Sequence, residues 1–374
     1  MPKKSIKKTG SSTLSRLRAE IDSIDRNILR HINKRASVAR KIAEEKKRIL
    51  RSVYDPEREK QVETKIARLN KGPLSGESAV SIFREIIRSC RVLQAEGKVS
   101  YLGPEGSFSH QAAANIFCAR ASLFPHKTIE EVFDSVLTGS VSKGVVPIEN
   151  STEGPVGNVL EMIYEGEFQI TGERFEKINH FLLSKTASEK NIKKVVSHPQ
   201  ALGQCRNWLS ANLPGVKTVE VSSTAAAAAE AAKNAGVAAI SSAYAADIYK
   251  LTIARKNIED NPLNSTRFVT VERQNGSSVS TGEGNKVSVA FTINDKPGAL
   301  HKTLFSPLAS AGVNLTRIES RPSGKKAWEY MFFVDFEGAP GQKETDRLIE
   351  KIEARSSSFK VLGCYFSGGK KISP

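Results

Sequence analysis

Two cations stand where a helical pattern reserves room for apolar side chains. Leu17, Ile21, Ile24, Ile28, Ile32, Ala39 and Ile42 step by three and four along the chain, with one gap at position 35. Arg35 fills that gap and Lys46 continues the line; 11 residues apart, they share one helix face. The next two stretches repeat the anomaly. Glu59, Val62, Ile66 and Leu69 form one stripe, with Arg58 beside Glu59, and Val80, Phe83, Ile87, Cys90 and Gln94 form another. A long Arg or Lys stem can snorkel from a core edge, which accounts for any one of these singly. Together they ask for more, because a buried cation without a counter-ion costs several kcal/mol. On these stripes Glu59 supplies the only anion, so a small external dianion is the expected partner.

Hydroxyls and amides gather at five turns further along. They are Gly103-Pro104-Glu105-Gly106-Ser107-Phe108-Ser109, Val146-Pro147-Ile148-Glu149-Asn150-Ser151-Thr152-Glu153-Gly154, Ser197-His198-Pro199-Gln200-Ala201-Leu202-Gly203-Gln204-Cys205, Ser223-Thr224-Ala225-Ala226-Ala227 and Asn264-Ser265-Thr266-Arg267-Phe268. Taken alone, each reads as a turn followed by a helix cap. The Gly-Pro-x-Gly turn is not a dinucleotide fingerprint, and His198 has no Cys or carboxylate at metal-ligand spacing. Nearer the C-terminus, Asp295-Lys296-Pro297-Gly298-Ala299-Leu300 opens a helix, and Glu319-Ser320-Arg321-Pro322 follows a strand.

The elements that must position these residues fall into three segments. Residues 1–13 read as a basic, disordered tail, and residues 14–96 as a helical domain. No Gly or Pro interrupts Leu14 to Tyr54, so the first helix reaches about 50 Å at ~1.5 Å per residue. Two shorter helices, from Asp55-Pro56 to Lys71 and from Ser78 to Ala95, cannot cover so long a stripe, and a homodimer is expected. In residues 98–274, Val99–Leu102, Gly144–Pro147, Lys194–Ser197 and Ala238–Ile240 read as buried strands alternating with helices. That is the pattern of an α/β domain with its ligand at the strand ends. Residues 275–285 are a linker by composition. Residues 286–374 read β-α-β-β-α-β, an α+β ferredoxin-like sandwich. Its strands are Val287–Ile293, Leu315–Glu319, Trp328–Phe336 and Phe359–Phe366, and its helices Gly298–Ala311 and Gln342–Ala354.

Composition narrows the function classes. Net charge is +16, and the first 97 residues hold 24 Lys+Arg against 12 Asp+Glu. Such a balance admits nucleic acid as a partner, but cations set into apolar stripes favour a small anion. No run approaches the roughly 18 apolar residues of a membrane span, and the N-terminus lacks the apolar core of a secretory signal. Cys90, Cys118, Cys205 and Cys364 have no metal-like spacing and read as reduced thiols in the cytoplasm.

The first segment resembles the all-helical chorismate mutases over its whole length, through Leu17-Arg18 with Ile21, Arg35, Lys46, Val53-Tyr54-Asp55, Arg58-Glu59 and Gln94. The resemblance implies that Arg18, Arg35, Asp55, Arg58, Glu59 and Cys90 bind substrate, with Cys90 where the family often has Ser. It implies that Lys46 and Gln94 face the breaking ether oxygen, and that Arg18 reaches into the partner subunit's site. The chemistry agrees: a unimolecular rearrangement of a dicarboxylate needs clamping and charge stabilisation, not a nucleophile. The five turns, in their order, resemble prephenate dehydratase, a fold of two α/β lobes with its site in the cleft between them. The resemblance makes Thr266 the principal catalytic residue and gives Arg267 a substrate carboxylate. Asn150, Ser197 and Gln204 become polar site residues, Ser107 and Thr224 supporting contacts, and Glu149 a possible structural carboxylate. No cofactor or metal is implied. The third segment resembles the ACT domains fused to such dehydratases, in which Gly298, Ala299, Leu300, Glu319, Ser320, Arg321 and Pro322 bind phenylalanine; His301 replaces the usual Val. The implied protein converts chorismate to prephenate and then to phenylpyruvate, under feedback by L-phenylalanine. An arogenate dehydratase, and a basic nucleic-acid-binding or regulatory protein with inactive enzyme segments, are the alternatives.

Overall fold

The computed structural model of the 374-residue chain describes residues 9–48, 56–94, 97–117, 121–186, 188–274, 284–293, 296–323, 329–339 and 341–368. The chain divides into two compact units, one built on residues 1–96 and the other on residues 97–374 apart from 138–140. No described helix is long and apolar enough to cross a membrane.

The first unit is helical. α1 spans Thr9–Arg48, α2 Pro56–Leu69 and α3 Gly76–Gln94. α1 starts five residues before Leu14, inside the stretch expected to be disordered: Gly10, Ser11, Ser12 and Thr13 are weak helix formers but do not break the ladder. Asp55, the expected cap of α2, lies outside the described residues. Ser75 caps α3, its Oγ accepting from the Ser78 amide at 3.0 Å. Arg84 on α3 grips Glu63 on α2 with two bonds of 2.8 Å, fixing that helix pair. The apolar stripe of α1 has no cover within one chain: Leu17, Ile21, Ile24 and Ile28 are each about half exposed.

The second unit begins as an α/β lobe: β1 (Lys98–Leu102), α4 (Phe108–Phe117), β2 (Ser122–His126), α5 (Ile129–Leu137), β3 (Lys143–Asn150), the short β4 (Gly154–Pro155), α6 (Val159–Glu165) and β5 (Phe168–Lys177). The chain then builds a second lobe from β6 (Phe181–Ser184), β7 (Lys194–Ser197), α7 (Pro199–Gln204), α8 (Arg206–Asn212), β8 (Lys217–Glu220), α9 (Thr224–Ala231), β9 (Val237–Ser241), α10 (Ala243–Tyr249) and β10 (Thr252–Arg255). It returns through β11 (Ser265–Arg273), which inserts between β3 and β5 in the first sheet, order β2-β1-β3-β11-β5. The second sheet runs β10-β6-β9-β7-β8. Strands such as β9 are buried at every residue, as expected of a strand with parallel pairing and helices on its sheet's faces. Gly106, at φ +80°, lets a loop of the first lobe pass Tyr249 of the second; a Cβ there would sit 2.9 Å from the Tyr249 ring.

The third part is the expected split sandwich: β12 (Lys286–Thr292), a π-type turn at His301–Phe305 leading into α11 (Ser306–Ala311), β13 (Leu315–Pro322), β14 (Tyr330–Glu337), α12 (Lys343–Glu353) and β15 (Ser358–Tyr365). Its antiparallel sheet has the order β13-β14-β12-β15. Most of the linker, residues 275–283, lies outside the described residues. On one face Val287, Val289, Phe291, Val334 and Phe336 pack against Leu304, Leu308, Leu348 and Ile352 of the helical segments. The other face does not meet solvent. Ala290, Met331, Phe333, Leu362 and Tyr365 join Val269, Val271, Ile148, Ile163 and Ile170 of the first lobe in one continuous core. β15 crosses β5 so closely that a Cβ on Gly363 would collide with the Ile170 backbone.

Candidate active sites

In the helical unit, Arg35 on α1 is partly buried, and its NH1 nitrogen is enclosed with no hydrogen-bond partner. An enclosed guanidinium nitrogen of this kind is suited to an anionic partner. Cys90 on α3 is buried. Arg18 is exposed, and so is Arg58, which donates to Gln61 at 3.2 Å. Lys46, Glu59 and Gln94 lie on α1, α2 and α3, and their side chains are outside the described set.

In the second unit a cleft of about 1070 Å³ opens between the two lobes. Of the residues expected there, it is lined by Ser107, Asn150, Gln204, Thr224 and Thr266. Their positions follow from the sheet. β3 and β11 pair with Thr266 opposite Asn150, which sets both at the strand ends facing the second lobe. The Asn150 amide nitrogen donates to Thr266 Oγ at 2.8 Å and to Asn264 Oδ1 at 2.9 Å, while its oxygen accepts from the Thr152 and Glu153 amides at 2.9 and 3.1 Å. Asn264 passes the chain to the other lobe, donating to Gln204 Oε1 at 3.1 Å, and His180 Nε2 meets the same oxygen at 2.8 Å. Two consequences follow from counting donors. Thr266 Oγ already accepts from Asn150, so its own hydrogen is free for the cleft. Gln204 Oε1 is doubly engaged, and Nε2 of the same amide is buried with no partner, so a donor also waits there. Burial holds His180 neutral by lowering its pKa, although Gln204 and Glu259 pull the other way.

Ser107 has a structural share as well. Its hydroxyl donates to the Leu102 carbonyl and accepts from the His110 amide, both at 3.1 Å, as the cap of α4. At the start of α9, Ser223 is the capping residue and Thr224 the first helical one.

Two expected site residues are elsewhere. Ser197 is fully buried and donates to the Ile240 carbonyl at 2.7 Å; it ties β7 to β9 and does not line the cleft. Arg267 does not reach the cleft either. Adjacent residues of a strand point to opposite faces, so with Thr266 in the cleft Arg267 enters the seam with the third sheet. There it donates to Glu173 at 2.8 Å, Asp335 at 2.6 Å and the Tyr365 hydroxyl at 2.9 Å. Glu149 likewise turns from the cleft to pair with Arg317 of β13 at 2.9 Å. Conversely, His180, Asn264 and Lys127 line the cleft without having been singled out. Asn264 was within reach, two residues before Thr266 in the same motif. A lone His180 or Lys127 carries no local signal.

In the C-terminal sheet, Glu319 and Arg321 face the first lobe. Arg321 donates to Glu319 at 2.5 Å, to the Gly157 carbonyl at 2.7 Å and to Glu161 at 2.8 Å. Ala299 and Leu300 pack on the opposite, helix-covered side, against the face that Ser320 shares by its register with Phe332. Gly298 turns with φ +76°, and Pro322 and His301 are exposed.

A helical unit with a partly buried cation whose NH1 has no partner, joined to a two-lobed cleft rich in neutral donors and a ferredoxin-like sheet, defines a two-site enzyme with a regulatory-type module. Residues 17–95 match the model of chorismate mutase type II, residues 99–276 that of prephenate dehydratase, and residues 287–354 that of the ACT domain. The chain belongs to the bifunctional chorismate mutase/prephenate dehydratases. The protein of that name from Aquifex aeolicus is 42% identical over 356 residues, covering 94% of this chain and 97% of the relative. That from Pseudomonas aeruginosa is 42% identical over 358 residues, with the same coverage. Among solved structures, prephenate dehydratase from Arthrobacter aurescens in complex with L-Phe superposes at a TM-score of 0.64 with 32% identity, over 72% of this chain and 90% of that one. Both activities, mutase and dehydratase, reside in this chain.

Proposed function

We propose that Thr266 is the hydrogen-bond donor to the leaving oxygen in the dehydratase reaction. The observation that carries this is the Asn150 amide donating to Thr266 Oγ at the cleft wall, which leaves the threonine hydrogen free to be donated to a ligand there. As the ring carboxylate leaves as carbon dioxide, its bond electrons enter the ring, the ring C–O bond breaks and aromatic phenylpyruvate forms. Aromatisation drives the step, so a neutral donor at the departing hydroxyl is sufficient. With Arg267 turned away, we assign prephenate's carboxylates to other donors of the cleft lining, among them the unpartnered Nε2 of Gln204 and Lys127. Thr266→Val tests the assignment, because it keeps the shape and deletes the hydroxyl. It is expected to abolish phenylpyruvate formation from prephenate and to leave mutase activity intact; parental dehydratase turnover would remove Thr266 from the role.

In the mutase we assign Arg18, Arg35, Asp55, Arg58, Glu59 and Cys90 to substrate binding, and Lys46 and Gln94 to the ether oxygen. The enclosed, unpartnered nitrogen of Arg35 supports this set. The half-exposed stripe of α1 supports a homodimer in which a second copy covers Leu17 through Ile28 and brings its Arg18 to the site. L-Phenylalanine is assigned to the ACT module as a feedback inhibitor, through residues Gly298–Leu300 and Glu319–Pro322 of paired modules. In one chain the two motifs lie largely on opposite faces of the sheet, which suits a site shared between copies. The three described cysteines are free thiols, in keeping with a cytoplasmic enzyme.

A further inference from the structure

Arg267 is the residue whose surroundings fit the expected role least and something else best. It is 4% exposed, and around it stand Glu173 of β5, Lys286 and Ser288 of β12, Asp335 of β14 and Tyr365 of β15, all nine-tenths or more buried. Two cations face two anions, so the cluster is neutral as a whole. Part of it is a closed ring. Arg267 NH1 donates to one oxygen of Asp335 at 2.6 Å, and Ser288 donates to the other at 2.5 Å. Because the Ser288 hydrogen is committed to Asp335, the Tyr365 hydroxyl must donate to Ser288 across 2.6 Å. Tyr365 in turn accepts from Arg267 NH2 at 2.9 Å, which completes the circuit with each hydroxyl donating once and accepting once. Lys286 closes the remaining side, donating to Glu173 at 2.5 Å opposite the Arg267 Nε bond. Asp335, with Arg267 and Arg317 beside it, is held ionised below its usual range despite burial.

Replacing such a buried ionic set by apolar residues is often neutral for stability, so its use is better sought in geometry than in energy. Four of its six members belong to the ACT sheet; the other two lie on β5 and β11 of the first lobe. Arg267 is also the residue next to Thr266, and the pairing of β11 with β3 shifts register between Arg267 and Phe268. A bulge of that kind re-aims neighbouring side chains. We infer that Arg267 is a positioning residue: the ACT sheet holds its guanidinium from behind β11, and thereby sets where Thr266 stands in the cleft. The ACT sheet is then a working part of the dehydratase site, and not only a sensor attached to it.

This rests on Thr266 as the donor, and it separates from a substrate-binding role for Arg267 by kinetics. Tyr365→Phe and Asp335→Asn change residues of the ACT sheet that do not line the cleft. With prephenate as substrate, both are expected to lower kcat by ~10- to 100-fold, the scale of a misplacement near 1 Å, with KM changed less than about twofold. Arg267→Lys is expected to do the same. Mutase turnover and circular dichroism serve as folding controls, and Tyr365→Phe, which removes one oxygen atom, is the variant retained if Asp335→Asn does not fold. A large rise in KM for Arg267→Lys, with normal kinetics in the two ACT variants, would return Arg267 to the substrate and overturn the inference. Lowered melting temperature with unchanged kcat in Tyr365→Phe would also overturn it, leaving a purely structural cluster. Thr266→Val distinguishes the two readings: parental activity there removes the donor assignment, whereas the loss of kcat in the ACT variants is read independently of it.

Discussion

Thr266 and Arg267 are chain neighbours that address two different compartments: strand alternation sets them on opposite faces of β11, and the sheet packed behind it supplies the partners of Arg267. In the cleft the fine balance lies in single hydrogens. Gln204 can offer Nε2 to a carboxylate because His180 and Asn264 occupy its oxygen. Gln204→Met is expected to raise KM for prephenate by roughly 10- to 150-fold, the range of ~1.5–3 kcal/mol for a hydrogen bond to a charged group. Steady-state kinetics with the mutase reaction as internal control reads it. His180 is expected to make the fold acid-sensitive. Its pKa in the fold is lowered, chiefly by burial, below the unfolded value of about 6.5. In the interval between the two values the unfolded chain binds the extra proton, so stability is complete above about pH 6.5 and falls as the pH drops through that interval. The midpoint for thermal loss of dehydratase activity should therefore fall between pH 7.5 and pH 5, and His180→Gln should flatten that slope. An equal slope in both proteins would assign it to other groups.

At the scale of elements, α1 and β11 each carry more than one duty. α1 exposes a continuous apolar stripe and inserts Arg35 into it. Arg35→Ala is expected to reduce mutase turnover by at least ~100-fold, as for loss of other preorganised charge donors, while dehydratase activity on supplied prephenate persists. Ile24→Glu places a charge in the middle of the same stripe. If a second copy covers it, sedimentation should report a lighter species and mutase activity should drop with it; an unchanged mass would mean that something other than α1 holds copies together. β11 is the last strand of the dehydratase in sequence and a central one in space, flanked by β3 and β5. Because β11 follows the whole second lobe in sequence, the sheet of the first lobe is completed by a strand from beyond the second.

For the whole molecule, the shared core of the first lobe and the ACT sheet changes what truncation means. A chain ended at Gln274 loses Met331, Phe333, Leu362 and Tyr365 from that core. Each buried side chain of this size is worth about 1.5–3 kcal/mol, so the shortened protein is expected to be insoluble or inactive, not merely deaf to phenylalanine. Regulation is better tested in the full chain. Calorimetric titration with phenylalanine beside a dehydratase assay should show binding and inhibition of about 5- to 150-fold, a coupling of ~1–3 kcal/mol, with prephenate weakening phenylalanine by the same factor. His301→Val restores the usual family residue and should shift that affinity if His301 meets the ligand. Heat-silent titration at millimolar phenylalanine would leave the module without its effector.

The order of domains, the all-helical mutase, the alternating α/β segment and the βαββαβ sandwich were legible in the sequence, because each depends on local periodicity and turn chemistry. That Thr266, Asn150, Gln204, Ser107 and Thr224 gather around one cleft was legible too, since strand-end motifs fall at the mouth of an α/β cleft. Arg35 showed itself as a charge in an apolar stripe. What a motif cannot carry is the side of the strand on which each of its residues acts. Thr-Arg-Phe reads as one unit along the chain, and only the packing of a second sheet behind β11 turned Arg267 from the cleft to Glu173, Asp335 and Tyr365. Those partners lie up to 98 residues away, and no pattern within a helix or strand encodes so distant a pairing. Ser197 lies away from the cleft for the same reason: its hydroxyl donates to the carbonyl of a neighbouring strand. The fold of each part follows from what nearby residues can bury, whereas the facing of a polar side chain is settled by whichever distant surface desolvates it.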